Sequence, residues 1–233
     1  MSSEKIVGGS FAFRERLNEK QIADLDIGLS ACTAFWTAAL GLSSYEVEHL
    51  RPHGRCIYAS LAVLDILHKL GRNDAFVQKV GLDVRQYGHD MTTVLNGLRI
   101  GDAAYRERTT ERRWNAHLLV RLGDVFIDPT IAQARRPWNS LPHFSAMINA
   151  APADFEIDIG GKWAKTKATW VQQTIGSFVQ TTYFDLPREQ DIKTRAYMKA
   201  PDAKPEARKD VVREALNIIS QSNEISVESE NTA

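Results

Sequence analysis

The hydrophobic positions in CIYASLAVLDILHKL, residues 56–70, fall at Ile57, Leu61, Leu64, Leu67 and Leu70. Spacings of three and four place them along one stripe of an α-helix, and Gly71 stands where a helix C-cap belongs. Upstream, from about Phe13 to Leu40, the residues Leu17, Ile22, Leu25, Ile27 and Leu29 lead into ACTAFW and also favour helix. Asp24 and Asp26 leave open where one helix would end and the next begin. GLSSYEVEHLRPHGR, residues 41–55, reads as a helix end, capping serines, a short helical turn and a Pro/Gly loop. The first twelve or so residues read as loose chain.

Beyond Gly71 the pattern changes. AFVQKVGLDV, 75–84, has the β-branched and aromatic bias of a strand. MTTVLNGLRIG, 91–101, fits either a strand or an insertion. AHLLVRL and VFID then read as two antiparallel strands joined by a tight turn at Gly123-Asp124. Pro129 ends the second strand because it cannot continue a central ladder. Residues 131–153 read as loop with a short helix, and WVQQT (170–174) and SFVQTTYFDLP (177–187) as further strands. In the charged tail, Val211, Val212, Ala215, Leu216 and Ile219 form one apolar helical face before SNEISVESENTA frays out. The order of elements predicts an α+β fold with helices packed on one side of an antiparallel sheet. It divides into a single domain over 1–187 and a C-terminal extension, 188–233, carrying one amphipathic helix.

Composition narrows the function classes. With 233 residues, 43% hydrophobic and 25% charged, the chain has the make-up of a soluble globular protein that needs no disulfide or metal staple. Lys plus Arg equals Asp plus Glu at 29 each, so nothing recommends a nucleic-acid or anionic-membrane surface as partner. The N-terminus lacks a basic-then-apolar leader, and ACTAFWTAALGL is far short of the ~20 apolar residues that span a bilayer. Two cysteines make neither a disulfide framework nor a four-Cys zinc site, which points to a reducing, cytoplasmic setting. No Walker-type loop, HExxH pattern or cofactor-binding signature is present, so neither a metal nor a cofactor is expected.

One constellation carries chemistry. GRC places Cys56 at the head of the best-defined helix, where unpaired amide donors favour a thiolate and can cradle an oxyanion. Such a nucleophile needs an imidazole, and the imidazole needs a partner that fixes its orientation. His117 opens the first strand of the hairpin and Asp128 closes the second. A strand offset of a residue or so would bring both side chains onto one face within hydrogen-bond reach.

The stretches GRCxxxSLAVLDILHKLG, AFVQKVG and WNAHLLVRLGDVFIDPT, with the later VQTTYFDLP, resemble the transglutaminase-like and arylamine N-acetyltransferase-like branch of the papain-like cysteine enzymes over roughly residues 50–185. The resemblance implies a papain-like core with Cys56 as nucleophile, His117 as base and Asp128 as orienter. It implies acyl transfer through a thioester, with a peptide, protein or small amide or amine as substrate. Hydrolysis of a peptide, isopeptide or amide bond is the first expectation, because it requires no cofactor. Transamidation or N-acetyl transfer to an amine is the alternative. Trp114, His53 and Arg55 are expected near the substrate.

Blander readings stand beside these. Cys32 lies in an apolar helical run and reads as a core thiol. Asp128 before Pro129 would by itself initiate a turn, and His117 alone would read as a structural histidine. His89 and Asp90 are adjacent and so face opposite ways on a strand. His49, His53 and Cys56 lack a fourth metal ligand. RERTTERR, residues 106–113, reads as a solvated loop of net charge +2 (four Arg less two Glu), able to serve as a lid. A function of another class, non-catalytic assembly or homo-oligomerisation, would use the apolar stripe of the C-terminal helix.

Overall fold

Helix α1 (Glu19–Leu42) runs unbroken through both aspartates that left its continuity open. Asp24 is tolerated in a buried position because two cations neutralise it: Lys20 Nζ at 2.6 Å, one turn earlier, and Arg72 Nη2 at 2.7 Å, beyond the next helix. Asp26 lies on the exposed side of the same helix. Helix α2 (Cys56–Lys69) begins at the cysteine and ends as expected. The Gly71 amide reaches the His68 carbonyl and the Arg72 amide the Leu67 carbonyl, the paired bonds of a Schellman cap, with Gly71 at φ 83°. The computed structural model describes residues 8–10, 17–42, 56–90, 92–101, 116–148, 153–159, 162–174, 178–186 and 195–230.

The strands are β1 (Gly8–Ser10), β2 (Phe76–Tyr87), β3 (Val94–Ile100), β4 (His117–Leu122), β5 (Val125–Asp128), β6 (Phe144–Ile148), β7 (Ala153–Ile159), β8 (Lys162–Thr174) and β9 (Val179–Phe184). They pair in the order β1-β6-β5-β4-β2-β9-β8-β7, with β3 also on β2. All pairings are antiparallel except β1 with β6. The α+β architecture is therefore as expected. Several strands were not foreseen: β1 in chain read as loose, and β6 and β7 in the stretch read as loop or left unassigned. MTTVLNGLRIG contains the strand β3, and a short 3-10 turn, Ile131–Ala134, follows β5.

Alternation along β4, β5 and β6 sends Val120, Leu122, Val125, Ile127, Phe144 and Ala146 to the helices, where they meet α1 and α2. The residues between them, Leu119, Phe126 and Met147, point the other way. They join Val80, Leu82, Val84, Val179 and Tyr183 in a second apolar cluster. β2 belongs to both halves of the sheet. Its residues 76–80 pair with β4, and from Gly81 onward it pairs with β9. At that change of partner the Phe184 ring lies over Gly81, occupying the space where a Cβ would stand.

The C-terminal segment corrects one expectation. Helix α3 (Pro205–Glu230) extends well past Ile219, and its stripe is not presented to a partner. Val211, Val212, Ala215 and Ile219 are buried in the same cluster as α1 and α2, with Leu216 packed against it. Arg208 is nearly inaccessible. Its guanidinium takes Asp65 of α2 at 2.7 and 2.9 Å, together with the carbonyls of Asp202 and Lys204. A helix fastened in this way completes the core of its own chain, so the stripe is not open for assembly or homo-oligomer docking. Among the described residues, no helix is long and apolar enough to cross a membrane.

Gly81→Ala is expected to destabilise the protein by about 2 kcal/mol, because Phe184 is fully buried and cannot swing aside. Urea denaturation would show a lower midpoint with an unchanged slope, and adding Phe184→Leu would restore part of the loss.

Candidate functional site

Three ladder pairs fix the β4–β5 hairpin: Val120 with Ile127, Arg121 with Phe126 and Leu122 with Val125. The two-residue turn between them starts at Gly123, whose φ of 58° is a conformation that glycine adopts without strain. Continuing the same register sets Leu119 opposite Asp128. His117 is two residues further back on the same face, so His117 and Asp128 are diagonal neighbours. Their offset is two residues rather than one, and parity still keeps both on one side of the sheet. His117 Nε2 donates to Asp128 Oδ2 at 2.8 Å, with both side chains fully buried.

The carboxylate of Asp128 is held by three donors. Besides His117, the Tyr183 hydroxyl donates to Oδ2 at 2.7 Å, and the Thr130 amide donates to Oδ1 at 2.8 Å. The turn-initiating role expected of an Asp before Pro is thus real, but it uses one oxygen and leaves the other for the imidazole. Three neutral or cationic donors compensate the desolvation of a buried anion, which would otherwise be costly. Tyr183, in β9, also lies nearly parallel to the His117 ring, at 26° with centroids 6.2 Å apart. Burial, and then the Asp128 charge, push the Tyr183 phenol well above its ordinary range, so it stays protonated and donates. Ser145, directly opposite Asp128 on β6, acts on the Tyr183 phenol as a hydrogen-bonding side chain and partly offsets that rise.

Cys56, at the head of α2, lies near the ring. It is 2% exposed and packs with Ile57, Leu61 and Leu118 in a small apolar cluster. One turn along α2, the Ser60 hydroxyl donates to the Leu118 carbonyl at 2.9 Å. That bond pins the head of the helix to the strand residue next to His117. Nδ1 of His117 is buried and, among the described residues, meets no group at ordinary hydrogen-bond geometry. The Cys56 side chain is nevertheless close enough to act on the imidazole both as a hydrogen-bonding group and as a charge. Burial favours the neutral ring. The Asp128 charge, its hydrogen bond and the Cys56 side chain outweigh that and push His117 up to about 10. The charged form of the ring is thus favoured, with Asp128 and Cys56 as the neighbours that favour it. Tyr197, Ala200 and Ala203, from the stretch before α3, pack against the Cys56 cluster, so the C-terminal segment covers this place as well as the core.

Cys32 is a fully buried core thiol on α1, and burial followed by the Asp128 charge pushes it upward, away from the thiolate. Trp36 donates from Nε1 to the Pro129 carbonyl at 2.9 Å, fixing the chain just beyond Asp128. His89 meets the edge of Phe178, and Asp90 caps Thr92 and Thr93, so this pair belongs to the β2–β3 connection. Trp138 packs on the second apolar cluster. Trp114, His53 and Arg55, expected near the substrate, lie outside the described residues, as do His49 and the charged run 106–113. Among the described residues, no group of three or more His, Cys, Asp or Glu is placed to hold a metal ion. Sequence reasoning missed Tyr183, although an alternating strand with a buried tyrosine signals a hydroxyl in need of a partner.

Because His117 is raised on folding from the usual 6.5, its protonated form stabilises the native state. That contribution is complete below about pH 6.5 and is lost as pH climbs through about 10. His117→Gln should therefore lie furthest below the parent protein in melting temperature near pH 6, with the gap closing toward pH 10. A gap that widened with pH would contradict the assignment.

No family model matches the chain, and neither a curated protein nor a solved structure matches it.

Proposed function

We propose that the protein is a cysteine-dependent acyl-transfer enzyme on a transglutaminase-like, papain-like core, and that it hydrolyses a peptide, isopeptide or other amide bond. The observation that supports this reading is a single buried imidazole that engages Asp128 through Nε2 and is coupled to the thiol of Cys56. With Nε2 committed to the carboxylate, Nδ1 is the nitrogen left for the sulfur. The chain order Cys56, His117, Asp128 and a cysteine heading a helix agree with the resemblance in sequence.

In this mechanism the Cys56 thiolate, with the His117 imidazolium as counter-ion, attacks the carbonyl carbon. A C–S bond forms, and the carbonyl π electrons move onto oxygen. Backbone amides at the start of α2 stabilise that oxyanion. Its collapse breaks the C–N bond, and the departing amine takes the proton from Nδ1. The imidazole, now neutral, removes a proton from water as the water oxygen attacks the thioester. Collapse of the second tetrahedral adduct releases the carboxylic acid and restores the thiolate–imidazolium pair. Asp128 remains anionic throughout and holds the ring in position. A working thiol of this kind requires a reducing compartment, which this reading identifies with the cytoplasm.

Iodoacetamide at neutral pH is expected to modify Cys56 about tenfold or more faster than Cys32, as read by peptide mass spectrometry. Equal, slow labelling of both would defeat the proposal. On a panel of fluorogenic peptide and amide substrates, Cys56→Ala should abolish turnover. Asp128→Asn, which keeps the shape but reverses a hydrogen bond, should lower kcat by roughly 10²–10⁴-fold.

A further inference from the structure

We infer that Tyr183 is a positioning residue that sets how tightly Asp128 holds the His117 imidazolium, and with it how readily the ring gives up its proton. The geometry carries this. The Tyr183 hydroxyl and His117 Nε2 share one acceptor, Asp128 Oδ2, at 2.7 and 2.8 Å, inside a volume closed to solvent. Two donors on one carboxylate oxygen compete for the same electron density. The phenol drains charge from the oxygen facing the ring and weakens its attraction for the imidazolium. Without that withdrawal, a buried carboxylate paired only with His117 and one amide would hold the ring still more firmly in its charged form. A base so strong is a poor acid toward a leaving amine. The near-parallel stacking of the two rings keeps this geometry from drifting.

Two groups act directly on the imidazole, Asp128 from β5 and Cys56 from α2, and the same carboxylate acts on Tyr183 of β9 and on Cys32 of α1. Of these, Tyr183 touches Asp128 without reaching the thiol's own cluster. Its contribution is therefore separable from that of Cys56. The inference rests on the acyl-transfer reading for its purpose, while its physical content, a coupling between Tyr183 and His117, is tested independently.

The measurement is the titration midpoint of the His117 ring by NMR on histidine-labelled full-length protein. It is made in parent, Tyr183→Phe, Cys56→Ala and doubly substituted forms. Tyr183→Phe keeps the stacked ring and removes the donor, so the midpoint should rise by roughly half to one pH unit in both cysteine backgrounds. A second form, with 3-fluorotyrosine placed at position 183, supplies a stronger donor of nearly the same shape and should move the midpoint downward. This form reads the coupling even where Tyr183→Phe folds poorly. Unchanged midpoints in the folded forms, or shifts of the same sign in both, would overturn the inference and leave Tyr183 a packing residue whose loss lowers only the melting temperature. The Cys56→Ala arm reports separately. A lowered midpoint supports the thiolate–imidazolium pair, whereas an unchanged one counts against the acyl-transfer reading and leaves the Tyr183 result standing.

Discussion

A carboxylate with no access to water must be surrounded by donors, and in this protein Asp128 draws them from three separate elements of the fold. His117 comes from the neighbouring strand β4, Thr130 from the turn that follows, and Tyr183 from β9 in the other half of the sheet. Loss of any one leaves part of a buried charge uncompensated, at a cost of about 1–3 kcal/mol or more. The network ties the β4–β5 hairpin to the far strand across the point where β2 changes partners. The same network presents an imidazole, already oriented, to the head of α2.

The helices play the complementary part. Ser60 holds α2 to β4 beside His117, Trp36 of α1 holds the chain beyond Asp128, and Arg208 of α3 fastens the C-terminal segment onto α2. The first two bonds join a helix to a direct neighbour of His117 or Asp128, and the third joins α3 to the helix that Cys56 heads. Stability and site geometry are thus served by the same contacts. The C-terminal segment, which looked like an appendage, thus packs into the core through its stripe and against the Cys56 cluster through Tyr197, Ala200 and Ala203.

What was legible in the sequence was local. The α2 stripe and its Gly71 cap, the two-residue turn at Gly123 and the alternation of β4 and β5 all depend on residues within a few positions of each other. Together they were enough to bring His117 and Asp128 face to face. The exact offset was not readable, but parity was, and parity decides which side of a sheet a residue faces. What escaped depends on distant partners. Asp24 left the course of α1 open because Arg72, which neutralises it, is 48 positions away (72 − 24). The strand β6 carries Ser145 and Ala146, weak strand formers, and is held by β5 on one edge and β1 on the other. Tyr183 is 55 residues from the carboxylate that it serves. Its strand was expected, but not the address of its hydroxyl.

Acyl transfer as proposed requires a negative sulfur and a positive ring to share one closed site at neutral pH. Ultraviolet absorbance of the thiolate, followed as a function of pH in the native protein, tests it most directly. A thiolate band should be present at pH 7, persist when Cys32 is replaced by Ser, vanish when Cys56 is replaced by Ser, and collapse when His117 is replaced by Ala. A native protein with no thiolate band at pH 7, or one whose band is indifferent to His117, would contradict it.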